Sequence, residues 1–344
     1  MKVVNQDHVG KALEIRKPGG ILREHLYRSF RSPGGRGLDR CASGLLEWSS
    51  DQAYGLIDHR FHLTISLPNL LQDVRPLLKV GEGPAKRGYK EGGVRTIQEG
   101  RDWLKSLDWD VQIETDQKKG APAPPVQLPA PEEAELIELP DPAGLSLGEM
   151  SVREAIARRR SRRRFSPDPL TLEELSFLLW ATQGVHEVIR DGIATRRTVP
   201  SGGARHPFET YLSVHRVEGL TPGLYRYLPL EHKLVFLRED PDLAGKVAEA
   251  ALGQKFVGEA AVVFIWTTVP YRAEWRYHVR SHKVIAIDAG HVCQNLYIAC
   301  EALGLGTCAV AAYHQKVLDE LLGVDGNEEF ALYLAPVGKL PPEG

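Results

Sequence analysis

Residues 260–269 read Ala-Ala-Val-Val-Phe-Ile-Trp-Thr-Thr-Val, a run of strand length in which apolar and charged residues do not alternate. Successive side chains of a strand point to opposite faces, so such a run belongs in the middle of a sheet covered on both sides. The chain must therefore supply helices for two faces. Thr171-Leu172-Glu173-Glu174 has the form of a capping box. It opens a helix whose Leu175, Leu178, Leu179 and Ala181-Thr182 face inward until Gly184 ends it. Further helices are expected over 240–252, 285–303 and 315–322. Strands are expected over 210–217, 224–228, 307–312 and 330–337, with Pro222-Gly223 as a turn. The expected class is α+β.

Three regions follow from the change of texture along the chain. Residues 1–93 are studded with Arg, Gly and Pro and hold no sustained period beyond 61–71. They are expected to be a poorly ordered extension or to precede the natural start. Lys90-Glu91-Gly92-Gly93-Val94 is what a purine-rich ribosome-binding stretch and a GTG codon would give if translated in frame, and Met150 is the only methionine after Met1. Residues 94–150 are expected to hold an amphipathic helix over 97–116, built on Trp103, Leu104, Leu107 and Trp109, and a proline-rich arm from Ala121 to Pro142. The arm is expected to wrap this domain or a partner subunit, or to be a disordered tether. The folded domain is expected over 151–340.

Charge and cysteine usage exclude several classes. Lys+Arg 43 against Asp+Glu 45 leaves no basic excess to hold a nucleic acid. No stretch is long and apolar enough to cross a membrane, and no apolar signal segment follows Met1, so a cytoplasmic location is expected. Cys41, Cys293, Cys300 and Cys308 show no CxxC spacing; Cys293 and Cys300, seven apart, fit one buried helix face. His278 and His282 stand at i, i+4 but lack a third ligand, so no metal site is assigned. There is no GxSxG elbow for a nucleophilic hydrolase.

The positive charge is local. Ser151-Val152-Arg153-Glu154 reads as a second capping box, opening a helix over 152–160, and Pro167 and Pro169 keep the chain beyond it extended. Arg159, Ser161 and Arg163 can then converge on one side, offering guanidinium forks and a hydroxyl to a phosphate. In Pro200-Ser201-Gly202-Gly203-Ala204-Arg205-His206-Pro207 two glycines allow backbone N–H groups to approach a planar ligand. Gly304-Leu305-Gly306-Thr307-Cys308-Ala309 mimics a dinucleotide fingerprint, but here a helix precedes the glycines and a strand follows. Those glycines are expected to end the helix and let the backbone of Ala309, Val310 and Ala311 reach a ligand.

Taken with Ile287-Asp288-Ala289-Gly290-His291, these ordered motifs resemble the FMN-dependent nitroreductase superfamily, and its SagB/ThcOx-type dehydrogenase branch in particular. The resemblance implies a central, mainly antiparallel sheet flanked by helices, in a homodimer that holds FMN at the subunit interface. It implies that Arg159, Ser161 and Arg163 hold FMN, with Ser201, Gly202 and Gly203 along the ring from the partner subunit. Ala309–Ala311 would lie near the flavin N5 side, and Lys339 is the nearest counterpart of a C-terminal phosphate ligand. Azoline-oxidising members are expected to carry a Lys-Tyr pair, where this chain has Arg276-Tyr277. Tyr277 or His291 can move a proton, whereas Arg276 stays charged and can only bind or polarise. Three readings remain open: dehydrogenation of a peptide azoline, NAD(P)H-driven reduction of nitro or quinone compounds, and a flavin-binding scaffold without turnover.

Overall fold

The computed structural model describes residues 96–342 with their side chains and, ahead of them, the backbones of five short strands. The chain divides into two units, Met1–Val94 and Arg95–Gly344. In the first, β1 (Leu13–Lys17), β2 (Gly20–Arg23), β3 (Gly44–Trp48), β4 (Ala53–Asp58) and β5 (Phe61–Ser66) form a sheet of order β2-β1-β3-β4-β5. The expected extension over 1–93, the start at Val94 and Cys41 otherwise lie outside the described residues.

The second unit is built on a seven-stranded sheet. Its order is β13 (Leu305–Thr307), β14 (Phe330–Lys339), β12 (Val262–Thr268), β9 (Phe208–Val214), β10 (Gly223–Leu228), β11 (Lys233–Glu239), β6 (Leu136–Glu138). Every neighbouring pair is antiparallel. The apolar run is β12, and all seven of its residues are buried. Val262, Phe264 and Trp266 join the core beneath α3 (Leu172–Gln183) and α7 (Ser281–Ala302), with Leu178, Leu179, Val292 and Leu296. Val263 and Ile265 point the other way, toward α4 (Leu243–Ala250), α5 (Lys255–Glu259) and α8 (Gln315–Leu322), meeting Val247, Val257 and Leu318. Each such buried side chain contributes roughly 1.5–3 kcal/mol, which accounts for apolar residues at both alternating sets of positions.

Local chemistry explains where the elements depart from expectation. The box at Thr171 and Glu174 is complete, with reciprocal bonds of 3.1 and 2.8 Å. At α2 (Val152–Arg158) only half of it forms: Ser151 Oγ accepts from Glu154 N, but the Glu154 carboxylate pairs with Arg158 instead of turning back. α1 (Ile97–Lys105) stops well short of 116, because the chain turns at Ser106 (φ 64°) and Arg280 takes the next carbonyls. The strand expected over 307–312 ends at Thr307, and Val310 makes only an isolated bridge to Leu334. A hairpin of β7 (Val185–Ile189) and β8 (Ala194–Arg197), and strands β6 and β11, were not anticipated. Gly304 (φ 70°) follows the end of α7, and the order of helix then strand is as read.

The proline-rich arm lies along its own domain. The carbonyls of Pro124, Val126 and Pro129 accept from Arg205 (3.0 Å), Arg197 (2.9 Å) and Arg226 (2.6 Å), and Leu128 N donates to Glu209 at 2.9 Å. Among the described residues no helix is long and apolar enough to cross a membrane.

Candidate functional site

Arg159 caps α2 in an extended conformation, and the segment after it runs against the sheet. Arg162 N donates to Thr307 O at 2.9 Å and Ser166 N to Lys339 O at 2.8 Å. At Gly306 a Cβ would sit 2.9 Å from Arg162 Cβ, so glycine allows this close approach. Glu301, buried in the last turn of α7, accepts from Arg160 N (3.1 Å) and Arg162 Nη2 (3.4 Å). One turn back, Tyr297 bonds Ser161 Oγ (3.1 Å) and accepts from Ala309 N (2.8 Å) through its hydroxyl. The Arg159 guanidinium lies over the same ring, 5.3 Å from its centre. Tyr297 thus gathers Arg159, Ser161 and Ala309. Arg163 lies instead over Phe256 of α5, at 5.8 Å, and Lys339 reaches Glu174 at 3.7 Å. Val310 is held by Leu334, and Ala311 is exposed.

The pairing of the arginines is selective. Arg158 binds Glu154, Arg160 donates to the carbonyls of Ala157 and Arg159, and Arg162 binds Glu301. Among the described residues, Arg159 and Arg163 meet aromatic rings and no carboxylate. Nearby, Arg162 Nε and Thr307 Oγ1 are buried without a hydrogen-bond partner. A guanidinium cannot shed its charge, so this donor set suits a phosphate-type anion.

A second cluster surrounds the glycine loop. Ser201 Oγ donates to Asp288 Oδ2 at 2.7 Å, and Gly202 N donates to the same carboxylate at 3.1 Å. Burial pushes the Asp288 carboxyl above its ordinary range, opposed by these two bonds and by His291, whose Nδ1 lies 4.0 Å away. Gly203 has φ 61°, and a Cβ there would come 2.7 Å from both Arg276 Nε and Tyr277 Oη; one on Gly202 would strike Val284. The glycines are therefore needed by the packing of the chain on itself. They bring Ser201, Gly202 and Gly203 together with Arg276 and Tyr277 of α6 (Tyr271–Tyr277), and with His291 through Asp288. The Arg276 guanidinium stands over the Tyr277 ring at 5.5 Å and donates to Gln117 Oε1 at 3.1 Å.

Sequence reasoning passed over Tyr297, Glu301 and Glu209. Glu301 had a legible signal: an acid in the last turn of a helix opposes the helix dipole, so it needs a cationic partner. Tyr297, one turn before it, faces the same way.

The loop ends on a buried histidine. His206 Nε2 lies 3.0 Å from Thr195 O, which can only accept, so that nitrogen carries the proton. Burial, then the Arg197 charge, holds His206 down to about 3, and burial holds His215 down to about 4. Between those values and the ordinary 6.5, the unfolded chain binds protons that the folded chain refuses. Stability from these residues is complete above pH 6.5 and is lost as pH falls through this window. At pH 5 each costs about 2 kcal/mol. Urea unfolding at pH 7 and pH 5 is expected to show the loss, and His206→Gln to remove about 2 kcal/mol of it. A variant with an unchanged pH difference contradicts the assignment.

The model of the nitroreductase family matches residues 156–339, just over half of the chain, and the protein belongs to that family. It is similar to a nitroreductase-family protein of Methanocaldococcus jannaschii, 36% identical over 203 residues that cover 59% of this chain and 96% of the relative. It is also similar to the trifolitoxin-processing protein TfxB of Rhizobium leguminosarum bv. trifolii, 28% identical over 173 residues. That match covers 48% of this chain and only 46% of TfxB. Among solved structures, a nitroreductase-family protein of Ralstonia eutropha JMP134 aligns with a TM-score of 0.50 and 26% identity, over 64% of this chain and 100% of that one.

Proposed function

We propose that this protein is an FMN-dependent oxidoreductase that moves a hydride to or from a small-molecule or peptide substrate. The observation that carries the reading is the cluster on Tyr297: Arg159 and Ser161 stand at one ring, with neither Arg159 nor Arg163 tied to a carboxylate among the described residues. That donor set fits the FMN phosphate and ribityl chain. When bound, FMN supplies the hydride chemistry, and the chain supplies position and charge. Arg159 and Ser161, gathered at Tyr297, would hold the phosphate and ribityl chain, Arg163, which lies apart over Phe256, would meet another edge of FMN, and the Ala309 backbone, fixed by Tyr297, would line the ring.

On the substrate side Tyr277 holds the mobile proton at its hydroxyl, with His291 as the exposed alternative. Arg276 polarises without giving up its proton. The two clusters lie on opposite sides of α7, because Asp288 and Tyr297 are nine residues apart, or about 14 Å along the axis and half a turn around it. This separation supports a site completed by a second copy of the chain. The resemblance to TfxB supports a peptide substrate, while Arg276 in place of lysine supports the reductive direction, with Tyr277 as donor.

The test is an absorbance spectrum of the purified chain followed by anaerobic NADH or NADPH. A flavin band that bleaches is expected of a nicotinamide-driven reductase. A persistent band points to a peptide dehydrogenase or a scaffold, and a chain that takes up no added FMN overturns the proposal.

A further inference from the structure

We infer that Trp109 forms a wall of the substrate site and selects a planar ring that stacks beside Tyr277; this rests on the oxidoreductase reading above. Trp109 lies outside the matched residues 156–339, so the wall is an addition to the family core. Its ring meets the Tyr277 ring edge to face, with centroids 6.0 Å apart, yet the residue is 66% exposed.

An indole so exposed is usually mobile, and this one is pinned. Arg280, 6% exposed, lies over the indole at 5.0 Å and donates to the carbonyls of Leu107 (3.2 Å), Val111 (2.6 Å) and Asp108. A few residues on, Gln117 N donates to Trp275 O at 2.9 Å and Gln117 Oε1 accepts from Arg276. The far end of the 106–117 segment is thereby tied to α6, which carries Arg276 and Tyr277, and the near end to Arg280 in the turn that follows α6. A buried guanidinium given over to three carbonyls of one turn fixes that turn, and what the turn presents is an apolar ring left in water. Arg276 adds a cation that meets no carboxylate among the described residues. A ring for stacking and a donor beside it recognise a planar ring that bears an acceptor oxygen or nitrogen.

Menadione is a suitable probe. It becomes its hydroquinone by taking a hydride, two electrons and a proton, from the reduced flavin, with a second proton from Tyr277, which solvent then replaces. The full chain loaded with FMN is photoreduced without oxygen and reoxidised by menadione in a stopped-flow instrument. Trp109→Ala is expected to raise the half-saturating menadione concentration about tenfold, with the limiting rate within about twofold and FMN content unchanged. Trp109→Phe is expected to restore most of the affinity. Ferricyanide, which needs no stacking wall, is expected to reoxidise all three proteins equally. Equal half-saturation in the natural chain and Trp109→Ala overturns the inference, as does a flavin-loaded natural chain that never saturates. Absence of flavin from the natural chain is a different result and overturns the oxidoreductase reading, and the wall with it.

Discussion

Alanine at both Arg159 and Arg163 is expected to yield a folded protein that purifies without flavin and binds added FMN about 10²–10⁴-fold more weakly than the natural chain. A hydrogen bond to a charged group contributes roughly 1.5–3 kcal/mol, so two guanidiniums, Arg159 on the phosphate and Arg163 on another edge of FMN, give about 3–6 kcal/mol together. The fold has little at stake, because among the described residues each guanidinium meets an aromatic ring and no carboxylate, and a cation–π contact is worth about 0.5–1 kcal/mol near the surface. Arg158→Ala is the matched control: it removes the same charge from the same run, but from an exposed arginine already paired with Glu154. Fluorescence titration with FMN separates the cases. Unchanged affinity in the double variant removes the phosphate assignment, and equal loss in Arg158→Ala reduces it to a general effect of charge.

What could be read in advance was what local sequence decides. The apolar run of β12, the boxed start of α3 at Thr171 and the end of α7 before Gly304 each depend on neighbours within a turn or on a period of two. The site was legible as motifs but not as an arrangement. Arg159, Ser161 and Ala309 meet only because Tyr297 reaches all three, and nothing local to the arginine run announces a tyrosine so far along the chain. The glycines of the 202–203 loop were read as room for a ligand, whereas the space they leave is filled by Val284, Arg276 and Tyr277. β6 was hidden for a similar reason. It is three residues long, and it exists as a strand through its partner β11 far along the chain.

The contact that ties these distant pieces together is Glu209 with Arg272, and Glu209→Ala is expected to destabilise the protein by about 3–5 kcal/mol. Both residues are buried, 2% and 0% exposed, and the Glu209 carboxylate accepts from Arg272 Nη2 as well as from Leu128 N of the arm. Around it stand Arg197 and Arg205, both held down to about 10, first by burial and then by the Arg272 charge. Arg272 and Arg197 therefore share this carboxylate, Arg205 has no such partner in it, and the rest of the compensation comes from carbonyl oxygens. Arg205 donates to Arg272 O and Pro124 O, and Arg197 donates to Val126 O. In this sense the arm is the counter-charge of the core, which explains why a proline-rich segment with few donors lies here. Removing the carboxylate leaves Arg272 buried and uncompensated beside its two neighbours, the costly way to break a buried pair. Glu209→Gln keeps the acceptor for Leu128 but not the charge, so it is expected to fall between the natural chain and Glu209→Ala. The arm continues to Ala121, whose carbonyl accepts from Trp275 in the helix of Arg276 and Tyr277, so its release is expected to loosen that helix. Urea unfolding measures the first effect, and faster proteolysis within 121–131 under native conditions measures the second. A loss below about 1 kcal/mol with no change in cleavage would mean that the arm, not Glu209, neutralises the arginines.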